Sequence, residues 1–216
     1  LYPPDWIMKK LDMIVIDIQD TGVRYTTFIS SITKLFESAS EHEIPVIVLD
    51  RPNPLGGLKI DGPLPREEYQ SFEAYHLVPI RHGMTIGELL LMVNEMGWVK
   101  DLKRVDLKIV PMANWKREQY FDETKLPWKK PAPYIKDLNT LIMYAGMDLL
   151  RGTNINVGFG TEDPYLRFGS PWLATKFFKE KLDMLNLPGV KFQEVVFRPR
   201  GSPYYNRVPK YNGMSC

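Results

Sequence analysis

Apolar residues fall along the chain in two distinct rhythms. Met13-Ile14-Val15-Ile16 is a continuous apolar run closed by Asp17, and Pro45-Val46-Ile47-Val48-Leu49 is a second, closed by Asp50. Short runs without polar interruption read as strands covered on both faces. Between them Phe28, Ile29, Ile32, Leu35 and Phe36 recur at spacings of three and four, which predicts a helix over 25–42 with one buried stripe. Strand, helix and strand within about 40 residues make a βαβ unit, so the two strands are expected to be parallel neighbours with a right-handed crossover.

The same reading continues downstream. Thr85 with Glu88 three residues later forms a capping box opening a helix that runs to Met96. Val105–Val110 alternates and stops at Pro111, as a strand with one more exposed face does. Helices are expected over 138–150, with Gly152 just past the end, and over 171–186; 190–197 reads as a strand. Strands alternating with helices predict an α/β sheet. Two Pro- and Gly-rich stretches, 51–65 and 127–133, are expected to be ordered, functional loops.

Composition narrows the class. The 26 aromatic residues (5 Trp, 11 Tyr, 10 Phe) supply too many apolar anchors for a disordered chain. A net charge of +2 gives no chain-wide attraction to phosphate, which argues against a nucleic-acid partner. Cys216 is the only cysteine, so no intrachain disulfide and no cysteine-based zinc site can form. His42, His76 and His82 make no metal-ligand pattern, and neither metal nor cofactor is expected. The longest wholly apolar stretch, Leu89–Val93, falls far short of the ~20 residues a membrane helix requires. The chain starts at Leu1 rather than Met, so an upstream segment is expected to have been removed or left out.

In open α/β sheets ligands collect beyond the carboxyl ends of the strands. Two such ends are polar here: Asp17-Ile18-Gln19-Asp20-Thr21-Gly22-Val23-Arg24-Tyr25 and Asp50-Arg51-Pro52-Asn53-Pro54. Brought side by side, they would face one crevice with carboxylates for acid–base or nucleophilic work and arginines for clamping an anion. The competing reading is that strand-end Asp residues cap helices and Asp–Arg pairs hold loops. Arg81-His82-Gly83-Met84-Thr85 leads into the capped helix, where His82 is either a ligand contact or a hydrogen-bonded structural residue. A third cluster, Gly152-Thr153-Asn154-Ile155-Asn156-Val157-Gly158-Phe159-Gly160-Thr161-Glu162, offers tight turns and sugar-like hydrogen bonding. It is not a dinucleotide fingerprint, and no Walker A or GxSxG sequence occurs, which disfavours nucleotide-dependent enzymes and serine hydrolases. Trp115, Tyr120, Phe121 and Trp128 could stack on sugar faces or lie buried under the proline-rich loop.

In this order the clusters resemble the NamZ/YbbC-like exo-β-N-acetylmuramidases. Asp17–Tyr25 is similar to that family's DIQDVGxRxYT motif, Asp50–Gly57 matches DRPNPLGG, Asp61-Gly62-Pro63 matches xGP and Arg81–Leu89 matches RHGMTIGEL. Val110-Pro111-Met112, Trp115 and Leu126-Pro127-Trp128 recur in sequence, and Gly152-Thr153-Asn154 with Gly160-Thr161 resembles GTNxxxGxGT. The chain departs from the pattern at Tyr134, where Asn is usual, at Arg151, where Glu is common, and at Phe159, where a polar residue is common.

The resemblance implies a bacterial, extracytoplasmic (periplasmic or secreted) glycoside hydrolase that releases N-acetylmuramic acid from the non-reducing ends of peptidoglycan fragments. The alternative is a peptidoglycan- or sugar-binding module without catalysis. It implies a Rossmann-like parallel sheet with helices on both faces over 1–163, then the start of a smaller α+β domain over 164–216. Asp17, Asp20 and Glu162 become the candidate catalytic carboxylates. Gln19, Arg24, Tyr25, Asp50, Arg51, Asn53, Arg81, His82 and Asn154 become the candidate substrate contacts, with one or more of the three arginines pairing the lactyl carboxylate of muramic acid. The family's proposed catalytic glutamate lies in an upstream Glu-His-Gly motif, for which Glu41-His42-Glu43 is no substitute. The 216 residues alone are therefore expected to bind weakly and hydrolyse nothing.

Overall fold

Three short strands, β1 (Ile14–Ile16), β2 (Val46–Leu49) and β3 (Leu107–Val110), lie parallel in that order, with Ile16 opposite Val48 and Val48 opposite Ile109. The computed structural model that shows them describes residues 2–200 and 211–216. The chain divides into two compact units, Leu1–Pro131 and Ala132–Cys216. In the first, a single turn, α1 (Asp5–Met8), precedes β1; α2 (Phe28–Glu41) and α3 (Ile86–Glu95) follow as the periodicity predicts. Val46 and Val48 of β2 are buried with Ile29, Ile32 and Phe36 of α2 and Leu89, Leu90 and Val93 of α3, which form one apolar core. Because side chains alternate along a strand, Val15 faces away from that core, and it is 58% exposed. The expected cover on both faces of β1 is thus corrected to one covered face, with Ile16 buried and Ile14 partly buried.

The capping box at α3 is present: Thr85 Oγ1 accepts from the Glu88 N–H, and Glu88 Oε2 accepts from the Thr85 N–H. The loop after β2 is built like core. Pro52, Asn53, Pro54, Leu55 and Gly56 are all buried.

A polar cluster ties α2 to the segment before α3. Glu37, 2% exposed, accepts from Lys34 Nζ at 2.9 Å, from the Tyr75 hydroxyl at 3.2 Å and from the Tyr2 hydroxyl. Beside it, His76 stacks on Trp98 with ring centroids 5.2 Å apart, and its Nε2 lies 2.7 Å from Thr33 Oγ1. The Thr33 hydroxyl is directed at the Ile29 carbonyl, so His76 Nε2 is the donor of that pair. Burial, reinforced by the nearby Lys34 charge and opposed by Glu37, pushes His76 down from 6.5 to about 4. A depressed folded value contributes stability that is present above the unfolded value and lost as pH falls through the folded one. We therefore expect unfolding titrations to show stability declining from pH 6.5 to 4 by about 3 kcal/mol, with His76→Gln flattening most of that decline. An unchanged pH profile in the variant would show that other groups set it.

The second unit holds an antiparallel sheet of β4 (Arg167–Ser170), β5 (Gln193–Phe197) and β6 (Tyr211–Ser215) in the order β4-β6-β5, with α4 (Leu138–Met147) and α5 (Thr175–Met184). Tyr144 and Tyr165, both buried, meet at 4.8 Å, and Tyr134 and Phe159 join them. Tyr134 and Phe159, two of the positions that depart from the resembled motifs, meet each other edge to face at 5.7 Å. This aromatic cluster lies wholly within the second unit.

Candidate functional site

The register that sets Ile16 opposite Val48 brings together the residues that follow β1 and β2. Asp17 and Arg51 meet there as a two-pronged ion pair, Nε to Oδ1 at 2.5 Å and Nη2 to Oδ2 at 2.8 Å. Two hollows of the first unit share this pair. One, about 560 Å³, is lined by Asp17, Asp50, Arg51, Met112, Trp115 and Glu123 among others. The other, about 420 Å³, is lined by Asp17, Gln19, Phe28, Arg51, Lys129 and Lys130 among others. Hydrogen bonding from Arg51 holds the Asp17 carboxyl below its usual value, and Asp17 raises Arg51 in turn. The pair's stabilisation is present above the ordinary carboxylate range and lost as pH falls through the lowered value. With side chains 46% and 38% exposed, solvent screening keeps that contribution small.

Other candidates from the sequence are committed to the scaffold. Asp50 accepts from Thr85 Oγ1 and from the Gly87 N–H, both at 2.8 Å, and so fastens the first turn of α3 to the end of β2 while still edging the larger hollow. Asn53, 1% exposed, uses its amide inside the protein: Nδ2 donates to the Met84 carbonyl and Oδ1 accepts from the Leu55 N–H. It latches two loops together and lines neither hollow. Arg24 donates to the carbonyls of Pro63 and Val78, and desolvation lowers its pKa. Arg81 donates to the Leu55 carbonyl and, at 3.2 Å, to the Tyr120 hydroxyl. Neither arginine lines the two hollows, and Tyr25, half-buried ahead of α2, does not line them either.

Asp20 and His82 are buried together. Asp20 Oδ2 accepts from the Gly22 N–H at 2.8 Å and lies 3.5 Å from His82 Nε2. His82 Nδ1 accepts from the Met84 N–H, so the imidazole proton sits on Nε2, facing Asp20. The pair braces the loops behind the crevice and does not open on it. Gln19 faces the smaller hollow while its Nε2 donates to the carbonyls of Asp20 and Pro52. Glu162 and Asn154 belong to the second unit, where both are exposed.

Sequence reasoning missed Glu123, Gln119, Lys129 and Lys130, which line the hollows without belonging to a long motif. The lysine doublet inside a proline-rich loop was the available signal. Of the aromatic candidates, Trp115 lines the larger hollow, whereas Trp128 packs edge to face on buried Phe121 at 5.0 Å. Among the described residues, no group of His, Cys, Asp and Glu is placed to hold a metal ion, and no helix is long and apolar enough to cross a membrane.

Residues 2–139 match the family described as exo-β-N-acetylmuramidase NamZ, N-terminal, and residues 142–216 its C-terminal counterpart. The chain is 39% identical over 214 residues to the peptidoglycan β-N-acetylmuramidase NamZ of Bacillus subtilis (strain 168), covering 99% of this chain and 49% of that protein. Two solved DUF1343 family proteins from Bacteroides fragilis share the fold. One has a TM-score of 0.88 at 33% identity, with 99% of this chain and 55% of that one covered. The other has a TM-score of 0.80 at 30% identity, covering 100% of this chain and 56% of that one. The chain thus spans about half the length of these relatives.

Proposed function

The chain belongs to the exo-β-N-acetylmuramidase NamZ family, and we propose that it contributes a sugar-binding crevice to a glycoside hydrolase acting on peptidoglycan. The proposed reaction is release of N-acetylmuramic acid from the non-reducing end of cell-wall fragments, and a cell-wall substrate supports an extracytoplasmic location. The observation that carries this reading is the Asp17–Arg51 pair on the wall shared by two hollows at the strand ends.

Glycosidic cleavage passes through a cationic, oxocarbenium-like transition state, helped by one protonated carboxyl at the leaving oxygen and a second group beside the ring. Asp17, kept ionised by Arg51, suits the second role, in which it stabilises positive charge or orients water. It is unsuited to donating a proton at neutral pH. Trp115, on the larger hollow, offers an apolar surface for a sugar ring. Asp20 and His82 act from behind, as positioning residues for the loops that carry Gln19 and Met84.

Muramic acid differs from N-acetylglucosamine by its lactyl carboxylate. Arg24 and Arg81 are held by backbone carbonyls, which leaves Lys129 and Lys130 to meet it, beside an Arg51 already engaged by Asp17. Combining Arg51→Met with Lys129→Met is expected to weaken N-acetylmuramic acid by about 10–100-fold, the worth of a charge-assisted contact. N-Acetylglucosamine should change little, with calorimetry as the measurement. Equal losses for both sugars would remove the clamp. The function itself is tested by incubating the complete protein with a chromogenic β-N-acetylmuramide. Release of the chromophore supports the hydrolase, while binding without release supports a sugar-binding module instead.

A further inference from the structure

We propose that the second unit carries an oxyanion-binding site of its own, formed by Arg167, Arg198 and Arg200. The three line a hollow of about 460 Å³ together with Gly160, Thr161 and Glu162. The inference rests on the geometry of this unit alone and stands whether or not the crevice of the first unit hydrolyses a muramide.

Separate parts of the chain deliver the three guanidiniums. Arg167 opens β4, and Arg198 follows the last residue of β5. Arg200 is drawn in through its backbone, its N–H donating to the Gly160 carbonyl at 2.6 Å. That approach demands glycine. Gly160 has φ +81°, and a Cβ there would lie 2.4 Å from the Arg200 carbonyl oxygen. The loop that the sequence singled out for its glycines therefore serves to seat an arginine.

The charges in the hollow are incompletely answered. Arg167 is held by Asp163 and lies over the Phe197 ring, 5.9 Å from its centroid. Its Nε is nevertheless buried, with no hydrogen-bond partner among the described residues. A buried, unpartnered guanidinium nitrogen is costly unless something else accepts from it. Glu162 lines the same hollow, yet among the described residues no ion pair within 4.0 Å joins it to any of the three arginines. Arg198 and Arg200 likewise form no ion pair with a described residue. Three cations thus line the hollow beside one lining carboxylate that none of them has engaged.

Guanidinium forks match two oxygens of a carboxylate or phosphate, and Arg is the side chain suited to that planar recognition. The ligand class is therefore a small molecule bearing one such group, with a sugar-acid carboxylate and a phosphate as its two possible sources. Glu162 tunes the site in the opposite direction, because a carboxylate beside the bound anion repels it.

The test is NMR titration of the isotope-labelled 216-residue chain with N-acetylmuramic acid, N-acetylglucosamine and inorganic phosphate, each added alone. The amides of Gly160, Arg167 and Arg198 should shift with at least one of the two anions and not with N-acetylglucosamine. Shifts with the sugar acid alone identify a carboxylate site, and shifts with phosphate alone identify a phosphate site. Arg198→Gln with Arg200→Gln should raise the Kd read at Gly160 at least tenfold. Glu162→Gln should lower it by about threefold, a gain that misfolding would not produce. Absence of shifts at these amides with both anions, or a Kd unmoved by all the variants, overturns the proposal. Signals near Asp17 and Arg51 report the crevice of the first unit separately, so either site can fail without the other.

Discussion

Replacing Asp17 by Asn is expected to lower muramide turnover by the complete protein about 10²–10³-fold, the usual loss when a group that stabilises transition-state charge is removed. The change is nearly isosteric and takes away the negative charge facing the two hollows. Folding should hardly notice, because an ion pair this exposed contributes on the order of 0–1 kcal/mol. Binding should move the other way. Arg51 is engaged by Asp17 through both Nε and Nη2, and loss of that partner frees its fork for a substrate carboxylate. The expected signature is a collapse in kcat with an unchanged or lower KM. Turnover within about threefold of the parent would show that Asp17 is only a strap between two strand ends.

A large loss of stability is expected from Gly22→Ala. Gly22 has φ +77°, and a Cβ there would lie 2.2 Å from Asn53 Oδ1. Left-handed backbone costs an L-residue about 1–2 kcal/mol, and forcing a side chain into packed surroundings adds about 1–3 kcal/mol. Asn53 has little room to retreat, since its amide holds both the Leu55 N–H and the Met84 carbonyl. A total of about 2–5 kcal/mol follows from these two contributions, readable as a lower denaturant midpoint at constant slope. Gly146→Ala is the control: in α4, with nothing within 4 Å of the added Cβ, it should be neutral or stabilise by about 0.5–1 kcal/mol. Equal midpoints for Gly22→Ala and the parent would mean that the Asp20–Val23 turn rearranges freely.

The parallel sheet was legible because β1, β2, α2 and α3 carry strong periodic patterns that packing reinforces, and the Thr85–Glu88 box marked the start of α3 within one residue. β4 and β6 were not. Arg167–Ser170 and Tyr211–Ser215 are short, interrupted by Gly169 and Gly213, and paired by contacts remote in sequence, so no local rhythm announces them. In the site, motif membership located the neighbourhood but not the orientation. Asp17 and Asn53 sit in equally prominent motifs, yet one faces solvent and the other is sealed under a loop. The hydrogen-bond demand of buried backbone decides between them, and only the tertiary structure states where that demand falls.

The loop after β2 is fastened from several directions: Asn53 to Met84, Arg81 to Leu55, the Gly57 N–H to the Arg117 carbonyl, and the Phe121 N–H to the Pro54 carbonyl. Such a loop has the substitution tolerance of a core. Its amides should be among the slower-exchanging ones outside helices and strands, and changes within 52–57 should register first as lost expression or solubility. Variation in what the hollows accept is then expected mainly on the opposite wall, residues 112–130, where Asn114, Glu123, Lys129 and Lys130 are exposed at the rim. A mutational library aimed at altered binding would be best spread across that wall, leaving residues 52–57 untouched.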